Sequence, residues 1–454
     1  MTSTTGVSIK NAIKQKLEEL GLSLDNLRGQ GYDGGSNMAG KNNGVQALIL
    51  NEQPLAFYTH CFSHSLNLCI TKACEVSSIK HMMGVIGAVA SFFSASAKRA
   101  DKLKSVIESE ISNTESNKQR KTKLKTLCET RWVERHDSLM TFKELYVFIL
   151  NALEELQHDS NTETSSKALL YLNSITKSEF LVAIDVAALC LAYTLQLSVA
   201  LQSKQQDLSR ALSDVMVIKG ALQSLREDAD NQFNIVFKNV IELGEKINIE
   251  IRMPRKCNRQ INRINIDSEN AEIYFKRSIF LPFLDYLIQS MDTRFDNRLS
   301  SIIPLEGLIP SHFDEYDERT ILEAAKIYSN DLSNNMNSTL KAELSLWRQQ
   351  WKTNNIPKPV SAIESMSHCT NLVPNIKLLL QLFATLPVTS ATPERTFSTL
   401  SRMKTYLRST MMEKRLNGLA MANINKKELV KEADIIQVFA QNAPRRMQLK
   451  DWSL

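Results

Sequence analysis

At 454 residues the chain has room for two or three domains, each with a sizeable core. Its 43% hydrophobic and 23% charged residues are the balance of a soluble globular protein, and its net charge of +6 permits nucleic-acid binding without demanding it. Seven scattered cysteines, an odd number, exclude a dense disulfide scaffold and read as reduced thiols in an intracellular protein.

The first residues, Met-Thr-Ser-Thr-Thr-Gly, are polar and lack the apolar core of a signal peptide. Residues 9–20 form an amphipathic helix on Ile9, Ala12, Ile13, Leu17 and Leu20, with Gly21 as its stop. A short extended segment then reaches Asp33, and Gly34 and Gly35 turn the backbone toward a helix carrying Val45, Leu48 and Ile49. A carboxylate at a strand end beside glycine is well placed to hold a divalent cation; the alternative is an aspartate in an ordinary Asx turn.

Residues 56–59 make a second strand running into Cys61-Phe62-Ser63-His64. Cys61-x-x-His64 has the spacing of half a zinc site, with Cys69 and Cys74 nearby. A structural zinc needs four converging ligands, and those two cysteines fall on the following helix, so convergence does not follow. His64, at the helix start, serves either to contact a phosphate or orient a neighbour, or as a capping or core histidine. Residues 65–109 are helical, with Met82, Val85, Ile86, Val89 and Phe92 on one face, and 112–123 are a polar loop. Trp132, after Thr130 and Arg131, is either a stacking platform for an unpaired base or a core anchor.

Residues 138–370 are helical with polar breaks. The longest uncharged apolar stretch, 186–200, is short for a membrane span and reads as a buried helix, so no membrane is expected. Leu208, Leu212, Val215, Leu222 and Leu225 make one side of a packed bundle, with Lys219 in the seam, and Ile235, Val236, Val240 and Leu243 continue it. Arg252, Arg255, Lys256, Arg259 and Arg263 form the most basic run, in a loop around Pro254 that suits phosphate contacts or plain solvation. Leu344, Leu346, Trp347 and Trp351 share an aromatic helix that ends near Asn354, and 372–382 lead back into the core.

Thr392 reads as an N-cap with Pro393 at the first helical position and Glu394 in the first turn, where the helix dipole favours negative charge. Phe397, Leu400, Met403 and Leu407 then recur as one buried face would. Thr410-x-x-Glu413 is a capping box for a helix bearing Leu416, Leu419, Ala420 and Asn423. Ile435, Ile436, Val438 and Phe439 begin a last helix, which either completes a core or forms an isologous dimer patch.

Several of these stretches stand in a telling order. Gln-Gly-Tyr-Asp33-Gly-Gly-Ser-Asn-Met, Cys61-x-x-His64, Thr-Arg131-Trp132, the basic run from Arg252 and Leu-Pro-Val-Thr-Ser-Ala-Thr-Pro-Glu394-Arg-Thr-Phe-Ser, continued by residues 403–411, closely resemble the motifs of hAT-superfamily DNA transposases over about residues 24–425. The likeness is strongest to the animal branch that includes the zinc-finger MYM-type proteins. It implies an α/β plus all-α protein, with an incomplete ribonuclease-H-like core interrupted by a large helical insertion domain. The parts would be 1–137, the insertion 138–370, and 371–454 with the hAT dimerisation region.

The resemblance makes Asp33 the second acidic residue and Glu394 the last of a metal-binding triad, with Mg²⁺ or Mn²⁺ as cofactor if the chain is catalytic. Cys61, His64, Arg131 and Trp132 would support the centre, and the basic run would touch DNA. It also implies a core strand before Leu386, covered in part by the helices that follow. The family's first acidic residue lies on an opening strand well upstream, whereas only Glu18, Glu19 and Asp25 precede Asp33 here. The opening strands, the first carboxylate and the family's N-terminal zinc finger are therefore expected to be missing. The expectation is a nuclear, transposase-derived protein without catalysis of its own, acting as a homodimer or with a related hAT protein, and associating with DNA. The alternatives are an active transposase completed by a separate N-terminal part, and a fragmentary gene product that does not fold alone.

Overall fold

The computed structural model describes residues 3–111, 124, 132–203, 207–254, 268–295, 301–332, 336–353, 357–404, 410–428 and 431–441. The chain forms two compact units, 1–390 and 391–454. The expected boundaries near 137 and 370 both fall within the first.

The first unit begins with helix Gly6–Glu19, capped by the Thr5 hydroxyl accepting from Ser8 N–H and ended at Gly21, whose φ of 69° suits glycine. Two strands follow, β1 (Gly29–Tyr32) and β2 (Phe57–His60), paired in parallel with Gly29 opposite Phe57 and Tyr32 opposite His60. Parallel neighbours require a crossover, and helices Ser36–Ala39 and Val45–Glu52 provide it. Val45, Ile49 and Ala56 pack beneath it with Ile9 and Ile13, while Lys10 and Lys14 both meet Glu52, at 2.5 and 2.9 Å. These are the only strands among the described residues; the remainder of the fold is helical.

The stretch read as one helical region is three helices, Phe62–Ala73, Ser77–Ser94 and Ala97–Ile111, the first two bent by 107°. Met82, Val85, Ile86, Val89 and Phe92 are buried as expected. At the centre lies helix Ser178–Leu201, long and apolar enough by length and composition to cross a membrane; 72% of its apolar window is buried within the protein. Its buried acid, Asp185, meets Lys143 Nζ at 2.8 Å.

On helix Leu208–Glu227, Leu208, Val215, Leu222 and Leu225 are buried, and Lys219 is not stranded in a seam but paired with Asp292 of helix Leu281–Arg294. Ile235 departs from the expected bundle face: it is exposed, while Val236 and Val240 carry the contact. On helix Met336–Thr353, Trp347 is buried and donates its indole N–H to Leu308 O at 2.8 Å, whereas Leu346 points to solvent.

The expected strand before Leu386 is a helix, Pro374–Thr385. Ile376, Leu379, Leu380 and Phe383 are buried at helical spacing, and Pro374 suits the first turn. Its start is capped from a distance. The buried Glu343 carboxylate accepts from Asn375 N–H at 2.8 Å, Ile376 N–H at 3.1 Å and the Asn375 side-chain amide at 2.7 Å.

Three ties hold the strand pair to the helical body. Arg28, at the entrance to β1, makes a two-pronged pair with Asp331, Nε to Oδ2 at 2.7 Å and a terminal nitrogen to Oδ1 at 2.5 Å. Phe57 meets Tyr328 edge to face at 6.3 Å between centroids. The third is Pro387, whose ring lies so close to β1 that a Cβ on Gly29 would sit 2.8 Å and one on Gly31 2.7 Å from it.

The second unit comprises helices Ala391–Met403, Glu413–Ile424 and Glu432–Gln441. The first starts at Ala391, one residue before the expected Thr392 cap, and Pro393 lies in its first turn. Phe397 is 66% exposed, which overturns the buried face, and Leu407 lies outside the described residues. The capping box fails as well: Met412 is the N-cap of Glu413–Ile424, and no side chain caps it. Thr410 stands two residues too early, since the box needs the hydroxyl on the N-cap itself.

Replacing Glu343 with Ala leaves the donors of Asn375 and Ile376 unmet in the interior. A loss of about 2–4 kcal/mol of unfolding free energy is expected from chemical denaturation. A loss under about 0.5 kcal/mol would show that the cap is not holding the helix.

Candidate functional site

Asp33 directly follows β1 and is exposed, its Oδ1 accepting from Gly35 N–H at 3.1 Å. This is the Asx turn read as the alternative, and it fixes the carboxylate at the open end of the strand. Across the turn stand two imidazoles. A Cβ on Gly34 would lie 2.9 Å from His64 Nε2 and 3.2 Å from His60 Cε1, so glycine is what lets both rings close against the turn. Their centroids are 5.4 Å apart, and Tyr58 OH lies 3.3 Å from His60 Nδ1. Burial pushes the nearby Tyr32 phenol up to about 12, with Tyr58 adding in the same direction.

The ladder runs one residue past β2: Cys61 N–H donates to Tyr32 O at 2.9 Å, and Cys61 then caps helix Phe62–Ala73. Its thiol is buried against the last residues of the first unit. Cys61 Sγ accepts from Ser390 N–H at 3.2 Å and lies 3.6 Å from Thr389 Oγ1, which is 3.1 Å from Ser63 Oγ. Phe62 N–H donates to Val388 O at 2.9 Å. Cys61 and the residues around it thus grip residues 388–390, just behind Pro387 on the β1 glycines.

Cys69 and Cys74 stand apart from this. Both are buried in the helical core, and desolvation pushes each thiol up to about 12, opposed in part by Arg294 at Cys69 and Arg135 at Cys74. The thiolate that zinc requires is disfavoured there. Among the described residues no three His, Cys, Asp or Glu side chains are grouped closely enough to hold a metal ion. Mg²⁺ and Mn²⁺ take oxygen ligands, and the first unit offers Asp33 beside imidazoles. By itself that donor set does not fit the cation implied by the resemblance.

Glu394 is exposed in the first turn of Ala391–Met403, in the second unit. Arg131 lies outside the described residues, and Trp132 opens helix Trp132–Glu144 with its side chain outside them too. Arg252 is exposed and paired with Glu250, which holds the guanidinium above its ordinary range and the carboxyl below its own. Arg255, Lys256, Arg259 and Arg263 lie outside the described residues. Sequence reading missed His60, Thr389 and Ser390. The signal for the clamp was present: glycines two apart in a strand mark a close backbone approach.

Residues 339–427 match the family model described as the hAT family C-terminal dimerisation region. This stretch of the chain is hAT-like in sequence. Residues 1–44, which include β1 and Asp33, match a second model described as the ZMYM1/FAM200, RNase-like domain. The chain is also similar to the "52 kDa repressor of the inhibitor of the protein kinase" of Homo sapiens, 28% identical over 418 residues, covering 90% of this chain and 54% of that protein. The Mus musculus protein of the same name is 29% identical over 419 residues, with the same coverage. The chain therefore spans about half the length of these relatives. The hAT dimerisation match straddles the two units. Before Ser390 it includes core residues such as Trp347, Ile376, Leu379 and Phe383; after it the described residues are largely exposed.

Gly31→Ala tests the clamp. A methyl 2.7 Å from Pro387 Cβ forces the segment outward, at about 1–3 kcal/mol for overpacking. Hydrogen exchange at Phe62 and Ser390 amides is expected to quicken about tenfold or more. Unchanged exchange at both would show that Pro387 does not hold the segment.

Proposed function

We propose that the chain is a transposase-derived protein that works by self-association through its second unit, without cleaving DNA itself. The observation that carries this is the apolar surface left open on short helices. Phe397, Ile435, Ile436, Val438 and Phe439 are 66%, 55%, 58%, 55% and 46% exposed, and the hAT dimerisation match reaches into this unit. Exposed apolar residues close together on one helix, as Ile435, Ile436, Val438 and Phe439 are, mark partner surfaces on soluble proteins. The partner is a second copy or a related hAT protein.

The parallel strand pair with Asp33 at its end supports reading 1–137 and 371–454 as parts of a ribonuclease-H-like core around the helical insertion 138–370. The lack of catalysis rests on the donor set around Asp33. Asp33 and Glu394 remain the assigned carboxylates by motif, with Mg²⁺ or Mn²⁺ relevant only if cleavage occurs. DNA association, through Arg252 and the basic residues after it, and a nuclear location belong to the same reading. The relatives' printed name, a repressor, accords with a regulatory role.

Sedimentation velocity at micromolar concentration tests association. The wild-type chain is expected to be dimeric, and Ile436→Asp with Phe439→Asp monomeric, since charge buried at an interface costs roughly several kcal/mol. A monomeric wild type, or a double variant that stays dimeric, defeats the proposal.

The exposed Asp33 carboxylate, fixed at an open strand end, favours one competing reading, an active transposase. Incubation with Mg²⁺ or Mn²⁺ and DNA bearing terminal inverted repeats separates the two. No strand cleavage is expected; cleavage that disappears in both Asp33→Asn and Glu394→Gln would establish the enzyme instead.

A further inference from the structure

Between the end of β2, helix Phe62–Ala73 and helix Leu281–Arg294 lies a cavity of about 450 Å³, within the range of small-molecule sites. It belongs wholly to the first unit, lies outside both matched stretches, and shares only His60 and Phe62 with the Cys61-x-x-His64 neighbourhood. We infer that it binds a single nucleotide, with the base held among aromatic walls and the phosphate on Arg294.

The walls supply the parts in the right chemical proportion. Tyr286, Gln289, Ser290 and Thr293 recur at three and four residues and so present one polar face of Leu281–Arg294 to the cavity, while Phe283, Leu284, Leu287 and Met291 bury the other. Opposite stand Tyr58 and Phe62, and Phe62 is fixed by edge-to-face packing on Phe295 at 5.3 Å. Aromatic rings at the wall offer faces for a base to stack on. The Gln289 amide both donates and accepts, as the edge of a base requires.

Two cations reach the cavity, and they differ. Lys72 is already paired with Glu75 at 2.6 Å. Arg294 has no ion-pair partner among the described residues, and its planar fork suits a phosphate. An arginine in the last turn also complements the helix dipole, a role that needs no ligand.

The shared chemistry, a base with its phosphate, comes either from a free mononucleotide or from one unit of a single strand. Calorimetric titration of the full chain with each deoxynucleoside monophosphate, and anisotropy with a labelled single strand of about 12 nucleotides, distinguish the sources. Saturable binding is expected to at least one probe, weakened about tenfold or more by Arg294→Gln and by Tyr286→Ala, with the unphosphorylated nucleoside binding correspondingly more weakly. Binding of monophosphates assigns the free ligand; binding of the strand alone, with the same sensitivity to both variants, assigns a strand. Thermal melts verify that the variants remain folded. Absence of saturable binding by either probe overturns the inference. So does binding that Arg294→Gln leaves unchanged while lowering the melting temperature, since the arginine would then serve only its helix.

Discussion

Pro387 can approach the first strand only because Gly29 and Gly31 have no side chains, and the first unit depends on that approach. Residues two apart in a strand share a face, so both glycines clear the same surface. The opposite face is not idle: Gln30 donates to Ala56 O at 2.9 Å and Gln46 O at 3.1 Å, holding the crossover in place. A chain segment more than 350 residues downstream is thereby seated on the start of the fold. Closing so long a loop costs entropy that grows only slowly with length, and a few well-made contacts offset it. Arg28 with Asp331 is one of them. The pair is two-pronged and partly buried, and the aspartate holds the guanidinium above its ordinary range despite the opposing effect of burial.

Elsewhere the helical body is stabilised by apolar burial, with the buried carboxylates of Glu343 and Glu306 met by hydrogen bonds and that of Asp185 by the Lys143 ion pair. Glu343 closes the start of one helix with its carboxylate. Glu306 accepts from the Ser209 hydroxyl and from Tyr316 OH at 3.0 Å, and burial together with that carboxylate pushes the Tyr316 phenol well up. These groups decide which helix faces meet which, because a buried carboxylate without its donors is far more costly than a missing apolar contact. Residues 386–390 continue directly from the Glu343-capped helix. The cap and the glycine clamp therefore fix the two ends of one short stretch.

Much of this was legible in the sequence where local chemistry decides local structure. The strand before Asp33, the Gly34–Gly35 turn, the second strand and the buried central helix all follow from residue type and spacing. The failures have physical causes too. The strand expected before Leu386 came from family likeness, while Ile376, Leu379, Leu380 and Phe383 were already spaced for a helix face. Phe397 and Leu400 were read as buried because periodicity reveals a face without revealing what covers it. The Thr410 box matched a pattern but not a register. In the candidate site Asp33, Cys61 and His64 were found from motif. The partners Thr389 and Ser390 were not, since no local signal announces a contact across more than 320 residues.

The exposed apolar helices bear on how a protein of this kind keeps folding and association apart. Apolar residues that complete a core are lost to partners, and those that serve partners are a liability to the monomer. Here the balance of the two sets shifts along the chain, although Leu346, Val360, Ile363 and Leu372 are exposed before residue 390 as well. Trp347, Trp351, Ile376, Leu379 and Phe383 lie before the boundary at 390 and are buried; Phe397, Ile435, Ile436, Val438 and Phe439 lie after it and are open. The stretch that matches the hAT dimerisation region thus includes buried residues of the first unit and the exposed Phe397, while Ile435, Ile436, Val438 and Phe439 lie beyond it. Burying the second set against a partner removes apolar area from water without drawing on any contact that holds the first unit. Association of that kind is an equilibrium that responds to concentration.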